Sequence, residues 1–195
     1  MGKIKYIDKV RQFFKKTPVV SIDSIKKLVT YKGYAYLMIK NMLDKGEIKR
    51  VTKGHYTVYD DPELAVFCFK PAYLGLQDAL SIHNLWEQET NPVIITSKKI
   101  KQGVRNVFGA NVLIRRILPK YLFGFDYIKQ GDFYVPVSDI EKTAIDMVYY
   151  KEKIDKELLK ELKKRMDAKK LKDYLKKYPA KIRKRVLSGL DNTDD

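Results

Sequence analysis

Between Tyr31 and Tyr59 the spacing of apolar residues changes once, from helical to alternating, and few small folds accommodate that change. From Tyr34 to Lys45, the residues Ala35, Met38, Ile39 and Met42 recur at steps of three and four, which puts them on one face of an amphipathic helix. Tyr34, Leu37, Lys40 and Asn41 lie round the other side. Gly46 provides a helix stop, because glycine enters the left-handed conformation that closes a last turn. Ile48 to Val51 then reads as a strand, Thr52-Lys53-Gly54 as a tight turn, and His55 to Tyr59 as a returning strand rich in Tyr, Thr and Val.

The residues before this stretch supply two further helices. Ile7, Val10, Phe13 and Phe14 share a face between Lys3 and Lys16, and Thr17-Pro18 ends that helix because proline disfavours helix in the residue before it. Ser21 is placed to cap a second helix that turns Ile22, Ile25, Leu28 and Val29 inward. The turn Thr30-Tyr31-Lys32-Gly33 is short. Helix, helix, short turn, helix and hairpin within about 60 residues is the order of a winged helix-turn-helix.

That order assigns roles to side chains. The third helix would enter a major groove with Tyr31, Lys32, Tyr34, Tyr36, Leu37, Lys40 and Asn41, where Asn41 can pair with adenine and the tyrosines can meet phosphate or a thymine methyl. Lys49, Arg50, Lys53 and His55 would form the wing, with Arg50 or Lys53 placed for phosphate or the minor groove.

The charge pattern agrees with a nucleic-acid partner. The net charge is +16. Residues 1–60 carry 14 Lys and Arg against 5 Asp and Glu, residues 61–150 carry 10 against 10, and residues 151–195 carry 16 against 9. Clustered cations are rewarded by phosphate neutralisation and counterion release, so double-stranded DNA is the expected partner of the basic first third. A lysine-rich surface of a thermophilic kind is the plain alternative. With 45% hydrophobic residues the chain is globular, and no apolar run approaches the roughly 20 residues that cross a bilayer. A soluble, cytoplasmic protein without a membrane partner is expected. The lone Cys68 rules out an intrachain disulfide and a thiolate zinc cluster, and its AVFCFK setting reads as buried packing. Neither a metal nor a cofactor is expected.

After Tyr59, Asp60-Asp61-Pro62 reads as the start of a linker, giving a DNA-binding domain over 1–60 and a second domain over 61–195. A helix is expected from about Leu74, with His83 near its C-terminal end in a structural role. Pro92 to Thr96, Asn111 to Leu118, Lys120 to Tyr127 and Asp132 to Pro136 read as short strands of a β region of three to five strands. Ser138 is expected to cap the next helix, with Glu141 completing a capping box and Lys142 exposed. Ile154, Leu158, Leu159, Leu162, Met166, Leu171 and Leu175 form the stripe of a charged helical segment from Asp155 to Tyr178. A basic helix from Ala180 to Leu190 follows, whose Lys181, Arg183, Lys184 and Arg185 are candidates for a second DNA contact. The fold class is therefore α+β: a winged helix-turn-helix followed by a mixed α/β C-terminal domain whose end, 151–190, is basic and helical.

Four segments, GEIKRVTKGHYTVY, AYLGLQDALSIHNL, PVIITSKK and VPVSDIEKTAIDMVYY, together resemble the AbiEi family of antitoxins from abortive-infection toxin–antitoxin operons over roughly residues 3 to 150. The run from Val137 to Asp146 looks like the family's strand-to-helix pattern, with Ile140 where that pattern usually has proline. The resemblance implies a DNA-binding autorepressor that binds inverted repeats at its own promoter. It also implies a C-terminal domain that counters a nucleotidyltransferase-like toxin without a stable complex, the type IV mode of phage defence. Two other readings stand beside it. One is a winged-helix regulator whose C-terminal domain senses a ligand or a protein. The other is a metal-dependent DNA-processing enzyme built on Asp126, Asp132, Asp139, Glu141 and Lys142, although no phosphate loop, nucleophile elbow or His/Cys pair accompanies those residues.

Overall fold

The computed structural model describes residues 2–29, 31–88 and 90–191, so Thr30 and the last four residues of the acidic DNTDD end lie outside it. The chain is α+β and divides into two compact units, residues 1–68 with 106–110, and residues 69–105 with 111–195. The division after Cys68 moves the expected boundary at Asp60. Pro62–Cys68 is no linker but a 3-10 helix that buries Leu64, Ala65, Val66 and Cys68 and packs on the hairpin of the first unit.

The first unit is built from α1 (Gly2–Lys16), β1 (Val20–Ser21), α2 (Ile22–Leu28), α3 (Lys32–Asp44), β2 (Lys49–Thr52) and β3 (His55–Thr57). Val10 and Phe14 of α1, Ile25 of α2, and Ala35, Met38, Ile39 and Met42 of α3 share one core with Val20, Val29, Ile48 and Tyr56. The Ser21 hydroxyl accepts from Ser24 N at 3.1 Å and caps α2. At the end of α3, Gly46 (φ +67°) turns the chain left-handed. Gly46 N donates to Leu43 O and Glu47 N to Met42 O, the pair of bonds that closes a Schellman motif. Glu47 is thereby presented to Arg11, whose guanidinium donates to both its carboxylate oxygens at 2.9 Å and fastens α1 to the end of α3. The three strands form an antiparallel sheet in the order β1-β3-β2.

Apart from residues 106–110 at the turn between β6 and β7, the second unit holds a six-stranded sheet, β6-β7-β5-β4-β9-β8, made of β4 (Ala72–Leu74), β5 (Val93–Thr96), β6 (Gly103–Val107), β7 (Ala110–Arg116), β8 (Phe125–Gln130) and β9 (Phe133–Ser138). The sheet is mixed, since β4 runs parallel to β9 and β5 parallel to β7, while β4 with β5 and β8 with β9 are antiparallel. Its helices are α4 (Leu76–Ile82), α5 (Ile140–Tyr150), α6 (Lys156–Arg165), α7 (Ala168–Leu175) and α8 (Ala180–Asp191). The single segment expected from Asp155 to Tyr178 is two helices, because the chain leaves helical geometry at Met166 and Asp167 restarts it as a cap, accepting from Lys169 N and Lys170 N.

The start of α5 departs most from expectation. Asp139, not Ser138, is the cap, accepting from Lys142 N at 2.8 Å, while the Ser138 hydroxyl lies 2.7 Å from that of Thr143. Glu141 makes no capping box. It is buried and accepts instead from Asp167 N at 2.7 Å. Lys142, expected in solvent, is fully buried and donates to Asp146 one helical turn on. The Tyr73 hydroxyl of β4 donates to the other Asp146 oxygen at 2.6 Å. The ammonium also lies 5.4 Å from the Tyr73 ring and 5.5 Å from the Phe123 ring. Burial pulls the Lys142 ammonium towards its neutral form and pushes the Asp146 carboxyl up, and each partner's charge opposes that push on the other.

Lys170 of α7 bridges Asp139 and Glu141 at 3.1 Å to each, and the Tyr174 hydroxyl donates to Asp139 at 2.7 Å, so α7 is docked through charge onto the start of α5. An ion pair with no access to water is costly to break, because the survivor is left uncompensated in a low-dielectric interior. Lys142→Met is expected to destabilise the protein by about 3–5 kcal/mol, and Asp146→Asn introduced alongside it to recover most of that loss while keeping an acceptor for Tyr73, as read from urea unfolding.

Candidate nucleic-acid interface

The inward face of α3 is fixed by Ala35, Met38, Ile39 and Met42, so the residues between them are turned out. Lys32, Tyr36, Leu37, Lys40 and Asn41 are exposed, Tyr36 and Leu37 to more than half of their surface. Tyr31, just before the helix, is 75% exposed, and its ring lies across the first turn, where a Cβ on Gly33 would sit 2.6 Å from it. Tyr34 is the exception among the groove candidates, being half-buried and packed against the core of the unit. Six of the seven groove candidates thus share the outer surface of α3 and its entrance.

One cation on this surface is not among those singled out by spacing. Lys26 of α2 holds its ammonium 4.8 Å from the Tyr36 ring centroid and 3.1 Å from Asp23. Its contact with Tyr36, and then that with Asp23, raises its pKa. The recurrence of Ile22, Ile25 and Val29 inward is enough to place Lys26 outward on α2. The aromatic partner on the next helix is not readable from periodicity.

The hairpin distributes its four candidates unequally. Arg50 and Lys53 are exposed, Lys53 in the turn that Gly54 (φ +80°) makes possible. The bulge between Arg50 and Thr52 puts the hairpin out of simple register just before that turn. Lys49 is paired with Asp60, and the His55 ring is drawn back to the turn, with Nδ1 3.3 Å from the Thr52 hydroxyl and 3.4 Å from Lys53 O. Thr57 steadies the returning strand by donating from its hydroxyl to Pro18 O at 2.6 Å. Arg50 and Lys53 are therefore the hairpin cations directed at solvent, while Lys49 and His55 also brace the hairpin.

In the second unit, Lys181, Arg183 and Lys184 of α8 are exposed. Arg185 is half-buried and donates to Tyr149 O at 3.0 Å, which makes it a strut between α8 and α5. The acidic residues weighed for metal chemistry do not converge. Asp126 and Asp132 are exposed on the β8–β9 hairpin, whereas Asp139 and Glu141 are taken up by α7. Among the described residues no group of three or more His, Cys, Asp or Glu side chains is placed to hold a metal ion, and no helix is long and apolar enough to cross a membrane. His83 ends α4 and its Nε2 lies 2.7 Å from Ser138 O.

No family model matches the chain, and no curated protein matches it. Among solved structures it is similar to the RV2827C protein from Mycobacterium tuberculosis, at 14% identity and a TM-score of 0.61, over 96% of this chain and 76% of that one. At that identity the likeness speaks for a shared fold.

The different surroundings of neighbouring α8 cations give distinct expectations. Arg185→Ala should destabilise the protein by about 1–2 kcal/mol through removal of the charge-assisted bond to Tyr149 O, and Lys184→Ala should change stability by less than about 0.5 kcal/mol, as measured by thermal unfolding.

Proposed function

We propose that the chain is a DNA-binding autorepressor and antitoxin of a toxin–antitoxin operon, acting in the cytoplasm and carrying no catalytic step of its own. Its first unit is read as a winged helix-turn-helix, with α3 as the groove-reading helix and β2–β3 as the wing. The observation that carries this reading is the outer surface of α3. Tyr31, Lys32, Tyr36, Lys40 and Asn41 are all turned to solvent there, cations and an amide alternate with aromatic rings, and the inward face is wholly apolar. Such a surface offers phosphate neutralisation, a bidentate amide for adenine and apolar contact for thymine methyls within one helix. Lys26 adds a cation from the helix before it, and Arg50 and Lys53 add two from the hairpin.

The antitoxin part rests on the resemblance to AbiEi-family proteins. On that reading the protein recognises inverted repeats at its own promoter, and the second unit opposes a nucleotidyltransferase-like toxin without binding it stably. The Val137–Asp146 segment that carries much of the resemblance is the one whose Lys142 and Asp146 form the buried pair. Its part in the protein is accordingly assigned to holding the second unit together. A neighbouring reading frame for a nucleotidyltransferase-like protein would favour the antitoxin over a regulator with a sensing domain.

Lys40→Ala or Arg50→Ala is expected to weaken binding to promoter DNA by about 1–3 kcal/mol in a gel-shift titration, and the wild-type affinity to fall steeply with salt. Unchanged affinity for both variants would remove α3 and the hairpin from the interface.

A further inference from the structure

The middle of the chain is neutral only on average. From Thr90 to Phe125 there are seven Lys and Arg and no Asp or Glu, while the acidic residues of the middle lie on either side. The fold gathers this unbalanced charge at one rim of the six-stranded sheet. β5 and β7 run parallel with Thr96 opposite Arg116, so their C-terminal ends stop side by side. The chain leaving β5 turns at once, with Lys98 N donating to the Thr96 hydroxyl at 3.0 Å and Ile100 N to Lys98 O at 2.9 Å. It is tied back beside β7, since Arg116 N donates to the Gln102 side chain at 2.9 Å. Lys98, Lys99 and Lys101 are thereby held next to Arg116, with Lys120 in the turn that follows β7, and all five are exposed.

Arg105 stiffens the same corner from β6, its guanidinium donating to Lys101 O at 3.1 Å and lying 5.5 Å from the Phe69 ring centroid. Arg115 turns away to Glu152. Among the described residues no carboxylate pairs with Lys99, Lys101, Arg105, Arg116 or Lys120.

Protection of a sheet edge is the ordinary use of such charge, because a lysine or arginine on an edge strand blocks pairing with another chain. It does not account for this rim. The edge strand β6 carries only Arg105; Arg116 ends the interior strand β7, and Lys98, Lys99, Lys101 and Lys120 sit in the loops that follow β5 and β7, where there is no edge to guard.

We propose that this rim is a second DNA-contacting surface, carried by the second unit and directed at the phosphates of duplex DNA. The inference rests on the DNA-binding reading of the first unit and extends it. Five exposed cations, four in the turns that follow β5 and β7 and one at the end of β7 itself, match the chemistry of phosphate binding, which needs charge and register but no base-reading side chain. The rim therefore adds affinity without sequence preference.

The test uses the full chain, the duplex immediately upstream of its own reading frame, and a scrambled duplex of equal length. A variant combining Lys99→Gln, Lys101→Gln and Arg116→Gln keeps the backbone bonds of the rim intact, and equal thermal unfolding verifies the fold. The expected result is a loss of roughly tenfold or more in affinity for both duplexes, with the salt slope reduced by about 0.9 for each phosphate no longer neutralised, near 3 in all. Charge-keeping replacements, Lys99→Arg, Lys101→Arg and Arg116→Lys, should restore most of both. Wild-type affinity and slope in the glutamine variant would overturn the inference and leave the first unit's role standing, provided Lys40→Ala still weakens binding. Failure of the wild-type protein to bind either duplex would overturn both. Tighter binding to single-stranded RNA of the same sequence than to either duplex would also overturn the assignment to DNA.

Discussion

An ammonium group fully shielded from water is the constraint around which the second unit is arranged. Lys142 can be charged in that position only because Asp146 lies one turn along the same helix, and Asp146 can be charged only because Lys142 and the Tyr73 hydroxyl both donate to it. Tyr73 belongs to a central strand, so the pair joins the helix to the sheet at a fixed position rather than through interchangeable apolar packing. The next layer is also electrostatic. Asp139 caps the helix with one oxygen and receives Tyr174 and Lys170 on the other, and Glu141 receives Lys170 and the backbone of Asp167. Two helices and a strand are thus placed by polar contacts within one short segment.

The two units use their charge differently. In the first, the Arg11–Glu47 pair uses ions to fasten helices, yet most cations of α3 and the hairpin point to solvent and make a surface suited to a polyanion. In the second, the segment around α5 consumes its ions internally, and the surplus lies on the rim at the ends of β5 and β7 and on the outer faces of α6, α7 and α8. This separation explains how a chain of +16 can hold compact units. Like charges are left at the surface, where water and salt screen them, and opposite charges are brought together where water is excluded.

Much of the first unit is legible in the sequence because its signals are local. Periodicity sets the inward face of α3, glycine sets its end, and a serine sets the cap of α2, each within a few residues of the feature it determines. The second unit depends on partners distant in sequence, and there local patterns mislead. Leu74, the last residue of β4, reads as a helix start and the strand goes unread, because Ala72-Tyr73-Leu74 is apolar in any period and only its neighbours β5 and β9 make it a strand. β6 gives no strand signal, because an edge strand exposed on both faces carries no alternation. A lysine in the first turn of a helix reads as solvated, and nothing near Lys142 announces that Tyr73 and Phe123 will cover it. Charge sums over long blocks hide the cations between Thr90 and Phe125, since acidic residues on either side cancel them. For the interface, spacing identifies the exposed face of α3, but not the inward lean of Tyr34 or the diversion of Lys49 and His55 to bracing the hairpin.

Whether the outer face of α3 reads DNA at the protein's own promoter is tested most directly by nuclease footprinting of the purified protein on the region upstream of its reading frame, because footprinting reports location as well as binding. Protection is predicted to be confined to two inverted half-sites, each wide enough for one groove-reading helix and its wing. Absence of protection, or protection spread evenly along the fragment at every protein concentration, would contradict it.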